Sequence, residues 1–418
     1  VKKTLLALAF SVFSAYSQSL VTLEISADAS GTIPIGVVMF QPTQDSEPFG
    51  DAEPWRIIAV DLDFTGDFSV KKLNPDDLKD ARKLAEEQVS MYVAGDYHVK
   101  GDTMILNAHL YDSGTHKQLY SKTYSFHKNE HRNIAHAFSG EIHKALLGLD
   151  GPYESKIAYV ERSSDGSKNI SVCDYDGQNK RRVTRGGISV MPSFFTDKQT
   201  ILYVAYDNGK PDIYSINLQS GAKKTIMATR KVESSPNYSD ITGRILYASS
   251  KGGNMEVYSI DKSIENDQRL TVNPPAISTA PNWSPNGHRI AFVSDRVGSP
   301  QIYTMDRTGG DVQRLTFGGT WHDSPSFSPD GSKIAYTAQR NGRNMIAINS
   351  VEGEDEELLT VEVIGTQEYP SWSPDGSYII FTHKHDGRSD IAAIRLKDKR
   401  VIKITNSGVA EQSKCSGI

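Results

Sequence analysis

The sequence predicts an α+β protein of two domains: a small N-terminal α/β domain, then a six-bladed β-propeller closed by a C-terminal strand. Three observations carry this reading. A phrase of proline, an aromatic residue and a tight turn recurs through the second part of the chain. Isoleucines that open a short apolar strand recur with the same period, once more often than the phrase. The first third carries no copy of the repeat and mixes strand-like with helix-like patterns.

Lys2 and Lys3 precede the almost wholly apolar run from Leu5 to Phe13, and small residues follow at Ser14, Ala15, Ser17 and Ser19. A charged start, a short apolar stretch and a small-residue cleavage zone form an export signal. Cleavage is expected after Ser17 or Ser19, so residues 1–19 are assigned to the signal. The run is too short to span a bilayer, and no lipid-acceptor cysteine lies near the cleavage zone. The mature chain is expected to be exported, soluble and not inserted in a membrane. Val1 stands where a methionine is usual, which an alternative start codon would explain.

Residues 20–148 are assigned to the α/β domain. "GTIPIGVVMF" and the stretch from Tyr92 to Phe126 read as strands, with a hairpin turn at Asp112-Ser-Gly114. Trp55, Ile58 and Leu62 have helical spacing. "NPDDLKDARKLAEEQV" predicts a second helix, with Asn74 as cap, Pro75 at the first helical position and early acids. A third helix would place Ile134, Ala135, Phe138, Ile142, Ala145 and Leu146 on one face. The boundary falls at Gly148 to Pro152, where glycine and proline punctuate the change of pattern.

Residues 149–418 are assigned to the propeller. The repeated prolines are Pro192, Pro236, Pro281, Pro325 and Pro370, spaced by 44, 45, 44 and 45 residues. A period of about 40–50 residues built from short strands is a propeller signature. Each unit reads as four strands, here called A to D, with the proline–aromatic segment as inner strand A and a Ser-Pro-Asp-Gly type turn leading to strand B. The isoleucines opening strand B are Ile157, Ile201, Ile245, Ile290, Ile334 and Ile379, which counts six blades. The first unit lacks an A strand, and "QSKCSGI" stands where one is due, so the C-terminus is expected to complete blade one. Cys173 and Cys415 would then lie on strands C and A of that blade, about 9–10 Å apart, too far for a disulfide.

Net charge is −5 and no basic block exists, which excludes a general nucleic-acid binder. Two cysteines cannot build a disulfide framework or a four-cysteine zinc site. No G-x-S-x-G, H-E-x-x-H, P-loop or dinucleotide fingerprint occurs, so no enzyme activity and no cofactor are expected. His383, His385 and Asp386 are the nearest approach to a metal set and read as a solvated strand end. His127, His131, His136 and His143 read as surface residues in or beside the third helix. Asp174 and Asp176 read as a turn, the other positions of a calcium loop being absent. The recurring aromatics read as blade core.

The loops leading into strand A, together with the B–C loops, should form one face of the disc. Glu233, Asp323, Glu368 and Glu411 precede or open strand A and would ring its mouth, with Ser235, Thr279, Ala280, His322 and Gln367 beside them. Outside them stand Arg162, Lys168, Lys210, Lys251, Arg296, Arg340, Arg343, Lys384 and Arg388. An acidic mouth within a basic rim would orient a partner of opposite pattern.

The signal segment, the α/β domain and the P-x-W-S-P-D-G repeats together resemble the TolB family of the Tol–Pal envelope system. "PIGVVMF", "IIAVDLDFTGDFSV" and "GLDGPYESKIAYV" resemble its first strand, its first helix with the turn after it, and its entry into the propeller. Blade one departs from the pattern, with Ser413 for the proline and Cys415 for the aromatic. The resemblance implies a periplasmic, non-enzymatic, monomeric adaptor serving outer-membrane integrity and cell division. It implies binding of a Pal-like peptidoglycan-associated lipoprotein at the propeller mouth. It also implies contact between a TolA-like inner-membrane protein and a mature N-terminal segment containing Leu20, Val21, Leu23 and Ile25. The alternative reading is an exported propeller that binds or processes a small ligand, such as a sugar, in its channel.

Overall fold

The computed structural model describes residues 31–416 apart from 48, 51–52, 196 and 354. The expected signal segment and Leu20, Val21, Leu23 and Ile25 lie outside the described residues. The chain divides into two compact units between Leu146 and Leu147.

In the first unit, β1 (Ile33–Val38) is buried along its whole length. It pairs in parallel with β3 (Phe68–Leu73) on one side and β4 (Met91–Lys100) on the other. β5 (Thr103–Asp112) and β6 (Gln118–His127) continue the sheet as antiparallel hairpins, giving the order β3-β1-β4-β5-β6, and the short β2 (Gln41–Pro42) pairs with β4. A strand buried on both faces needs apolar residues throughout, and "IPIGVV" supplies them. Gly36 is required there, because a Cβ would stand 2.5 Å from Leu73 Cδ1.

α1 (Pro54–Thr65) connects β1 to β3 as a parallel crossover requires. It starts on a proline, buries Trp55, Ile58 and Leu62, and stops at Gly66 in the left-handed conformation. The second helix is not continuous. Asn74 caps a 3₁₀ turn over Pro75–Lys79, and Asp80 then starts α2 (Ala81–Glu86) by accepting from the N–H groups of Arg82 and Lys83. An Asp inside a helical pattern competes for backbone donors, and here it resets the helix.

α3 (His131–Leu147) buries Ala135, Phe138 and Ile142 of the expected face, while Ile134 and Leu146 are half-buried and Ala145 is exposed. Phe138 meets Tyr120 and Tyr124 of β6. His136 and His143 are buried too, against the surface reading. The reason is a carboxylate for each: Asp61 of α1 lies 2.9 Å from His136 Nδ1, and Asp67 lies 3.4 Å from His143 Nε2. A buried polar side chain needs such a partner.

The second unit is six four-stranded antiparallel sheets. Blades two to six have strand A at Ser189–Phe194, Glu233–Ser239, Ser278–Trp283, His322–Phe327 and Thr366–Trp372. Blade one takes its A strand from the C-terminus: Ala410–Cys415 pairs with Lys156–Arg162. Cys415 and Cys173 sit on either side of Ile157 in the sheet, and both are buried, free thiols. The opening isoleucines of strand B are fully buried in every blade; opposite them stands the strand A aromatic in blades two to six and Cys415 in blade one.

Each blade repeats one irregularity. The A–B register shifts by a bulge, as between Thr279 and Asn282 or Glu411 and Lys414. The bulged residue is left-handed in all six blades: Met191, Ser235, Ala280, Ser324, Tyr369 and Gln412, with φ between 48° and 57°. Such backbone costs about 1–3 kcal/mol per residue and persists only where its surroundings hold it.

Candidate functional site

Because the bulges repeat, positions along strand A form rings around the axis. The first ring is Ser189, Glu233, Ser278, His322, Gln367 and Ala410, all buried; each opens its strand except Gln367, which follows Thr366. Strand pairing places the next residue of each blade in a second ring: Val190, Ser234, Thr279, Asp323, Glu368 and Glu411. Ser235 and Ala280 are bulge residues just beyond it.

The four acids named from sequence therefore divide. Asp323, Glu368 and Glu411 share a ring on three consecutive blades. Glu233 is one position earlier and fully buried. Its carboxylate accepts from Thr229 Oγ1 and from Ser249 Oγ, the latter at 3.3 Å. Burial raises its pKa. Glu233, His322 and Gln367 are closed off from solvent, so they act on the face only through what they support. His322 is held neutral, its pKa lowered to about 4 by burial and by the neighbouring Arg340.

The expected acidic mouth and basic rim do not stand apart, because they pair. Lys168 donates to Glu411 at 2.5 Å, and Lys384 donates to Glu368 at 2.6 Å, with Asn344 adding a second donor at 2.8 Å. Lys210 pairs with buried Asp212, Lys251 with Asp267, and Arg340 with Glu356. Asp323 is the exception. It accepts from the Ser324 N–H at 2.6 Å and has no ion-pair partner among the described residues. Burial pushes its carboxyl up to about 6, with the nearby charge of Glu368 adding to the effect.

The feature of this face that sequence reasoning missed is apolar. The residue one place ahead of the first ring is Ile188, Val232, Ile277, Trp321, Thr366 and Val409 in the six blades. Ile188, Val232, Ile277 and Val409 are 39–41% exposed. Their backbones are fixed: the carbonyls of Ile188, Val232, Trp321 and Val409 accept at 2.9–3.1 Å from an N–H at the end of strand B or just past it. Beyond this ring, the loops before strand A of blades four to six carry Val272, Phe317 and Ile364, each 68–69% exposed. The Arg314 guanidinium stacks 5.0 Å from the Phe317 ring. A single apolar residue before a strand reads as core in a sequence; its recurrence in five of six blades, one place ahead of the first ring, was the available signal.

The metal candidates are not assembled. His383 Nε2 meets the Ile364 carbonyl at 2.8 Å, and His385 pairs with Asp386. Among the described residues no three His, Cys, Asp or Glu side chains are grouped to hold a metal ion. Asp174 and Asp176 lie in the turn after strand C of blade one, where Asp176 accepts from the Gln178 N–H. No helix among the described residues is long and apolar enough to cross a membrane.

Comparison with known proteins adds the following. The TolB beta propeller domain family matches residues 143–415. A Tol-Pal system protein TolB from Desulfosudis oleivorans is 32% identical over 296 residues, 65% of each chain. A TolB homolog from Chlorobaculum tepidum is 32% identical over 260 residues, 59% of this chain and 58% of that one. The matched stretch spans between about half and two thirds of the length of such curated relatives. The crystal structure of TolB from Acinetobacter baumannii superposes with a TM-score of 0.79 at 24% identity, covering 93% of this chain and 97% of that one.

Proposed function

The chain belongs to the TolB β-propeller family, and from that premise we propose that it is a non-catalytic periplasmic adaptor of a Tol–Pal system. Its propeller face receives a Pal-like peptidoglycan-associated lipoprotein, and its segment from Leu20 to about Gly31 contacts a TolA-like inner-membrane protein. The observation that carries the first part is the fixed apolar ring around the mouth, with Val272, Phe317 and Ile364 beside it. Exposed apolar patches rimmed by polar groups are what protein partners bury. Side chains on anchored backbone lose little freedom on binding. An exposed phenylalanine is a fitting central anchor. Around it, paired charges on the rim set orientation more than affinity.

The test is binding of the soluble domain of a Pal-like lipoprotein to the purified chain. Phe317→Glu with Ile364→Glu should weaken it at least about tenfold, as expected for loss of a hot spot, while the melting temperature holds. Undiminished affinity in that double variant would remove this face from the mechanism. Removing Leu20 to Glu24 should abolish capture of a TolA-like protein and leave propeller melting intact; retained capture would count against the N-terminal assignment.

A further inference from the structure

The residue after the proline of strand A is Ser193, Asn237, Asn282, Ser326, Ser371 or Lys414 in the six blades. It faces the inner edge of strand A in the next blade, and the register explains why. The aromatic position sits opposite the opening isoleucine of strand B. The flanking pair carries the ladder hydrogen bond, as in Phe195 N–H to Thr200 O at 2.8 Å or Ser284 N–H to Arg289 O at 2.9 Å. The aromatic position is therefore a pair without backbone hydrogen bonds, and its N–H points away from its own sheet. That donor needs an acceptor from the neighbouring blade. Asn237 Oδ1 accepts from the Trp283 N–H at 2.8 Å and Asn282 Oδ1 from the Phe327 N–H at 3.0 Å. Ser371 Oγ accepts from the Cys415 N–H at 3.1 Å, which latches the C-terminal strand to blade six.

The junction between blades one and two breaks this rule. Lys414 occupies the acceptor position, and an ammonium donates three times and accepts nothing. Across from it stands the Phe194 N–H, for which the pairing provides no partner in its own sheet. By the repeat, a charged donor takes the place opposite a backbone donor. Lys414 has no hydrogen-bond or ion-pair partner among the described residues, and its side chain is half-buried. Burial lowers its pKa to about 8, and the only nearby group acting the other way is the Cys415 thiol.

We propose that this junction is a binding site for a small oxyanion, a carboxylate or a phosphate, held between the Lys414 ammonium and the Phe194 N–H. An oxyanion supplies the acceptor that Asn237, Asn282 and Ser371 provide at three other junctions, and it neutralises the one lysine of the ring. Charge-assisted contacts of this kind are short and strong. The site is independent of the protein-binding face, since it uses none of that face's residues.

The experiment is thermal unfolding of the intact chain in sodium phosphate or sodium acetate, against sodium chloride of equal ionic strength. Phosphate or acetate should raise the midpoint saturably; a response to phosphate alone identifies a phosphoryl ligand, and one to acetate alone a carboxylate. Lys414→Met should weaken the response at least about tenfold, the effect of losing a charged hydrogen bond. Lys414→Asn restores the acceptor, so it should melt above the parent in chloride and respond to neither anion. A second readout needs no variant: reductive methylation followed by mass spectrometry should show Lys414 protected by saturating phosphate or acetate. No anion-specific shift in the parent, an equal shift in the variants, or an unchanged methylation rate would overturn the proposal.

Discussion

Blade five is continuous and carries the full repeat signature; blade one is joined from the two ends of the propeller and lacks both signature residues of strand A. The two sheets are nonetheless alike. Both have four antiparallel strands. Both shift register at the same place, between Asp323 and Ser326 or between Glu411 and Lys414. Both hold the bulged residue left-handed, with φ of 55° at Ser324 and at Gln412. Blade one has Ser413 where blade five has Pro325, so the proline does not create the bulge. The bulges are held differently: the Ser324 N–H bonds to Asp323 Oδ1 of its own strand, whereas blade one is held by its neighbours. Gln412 N–H donates to Thr382 Oγ1 of blade six at 2.8 Å, and its side chain accepts from the Met191 N–H of blade two at 3.1 Å. In blade one, contacts from the blades on either side keep the bulge without the proline.

The comparison can be broken most severely by removing Glu411 to Ile418. Blade one would keep three strands and expose the edge of Lys156–Arg162, an invitation to intermolecular pairing. We expect the cooperative unfolding transition of the propeller to be lost and the protein to aggregate, read by calorimetry and size-exclusion chromatography. A truncated chain that melts like the parent would mean that closure contributes nothing.

The next effect separates the two blades at the aromatic position. Phe327→Ala in blade five should cost about 3–5 kcal/mol, the usual range for a buried phenylalanine. Cys415→Ala in blade one removes one sulfur atom and should cost about 1 kcal/mol. Equal losses in chemical denaturation would show that blade one depends on its side chains as much as blade five does.

The smallest effect is a pH dependence. Asp323 has a folded pKa raised to about 6 from an ordinary 3.8. A carboxyl raised on folding favours the native state when protonated, so its contribution is full below the unfolded value and is lost as pH rises through 6. Asp323→Asn should therefore stabilise the protein by up to roughly 2–3 kcal/mol at pH 7.5 and have little effect near pH 4. Glu411, its counterpart in blade one, is paired with Lys168, so Glu411→Gln should destabilise at pH 7.5. Opposite signs at one ring position would confirm that pairing, not position, decides. The same sign for both would refute it.

Much of the propeller was legible because its period is carried by residues with one physical task. An isoleucine opens strand B in every blade because that site is fully enclosed, and a misplaced one would leave a cavity. The completion of blade one was readable by counting these isoleucines against the prolines. Partners distant in sequence were less readable. His136 and His143 looked like surface residues because Asp61 and Asp67, which make their burial tolerable, lie on other elements. The break at Asp80 was hidden because an Asp in a helical pattern is also compatible with an exposed helix face. Glu233 was grouped with Asp323 because both lie near the start of strand A, yet one residue in a strand exchanges one environment for another. The donor–donor junction at Lys414 was invisible until the ring brought blade two beside blade one.

The closure also bears on when the fold can exist. Lys156 N–H bonds to the Ser416 hydroxyl, 260 positions along the chain. Contacts of such sequence separation form slowly, because a long loop must close before they return anything. Blade one cannot be finished until the strand Ala410–Cys415 has been delivered. Under the periplasmic role proposed above, a chain that crosses a membrane unfolded gains from this delay: the ring stays open during transit and locks only when its final strand arrives. Folding of the propeller is then timed by the end of translocation rather than by its beginning.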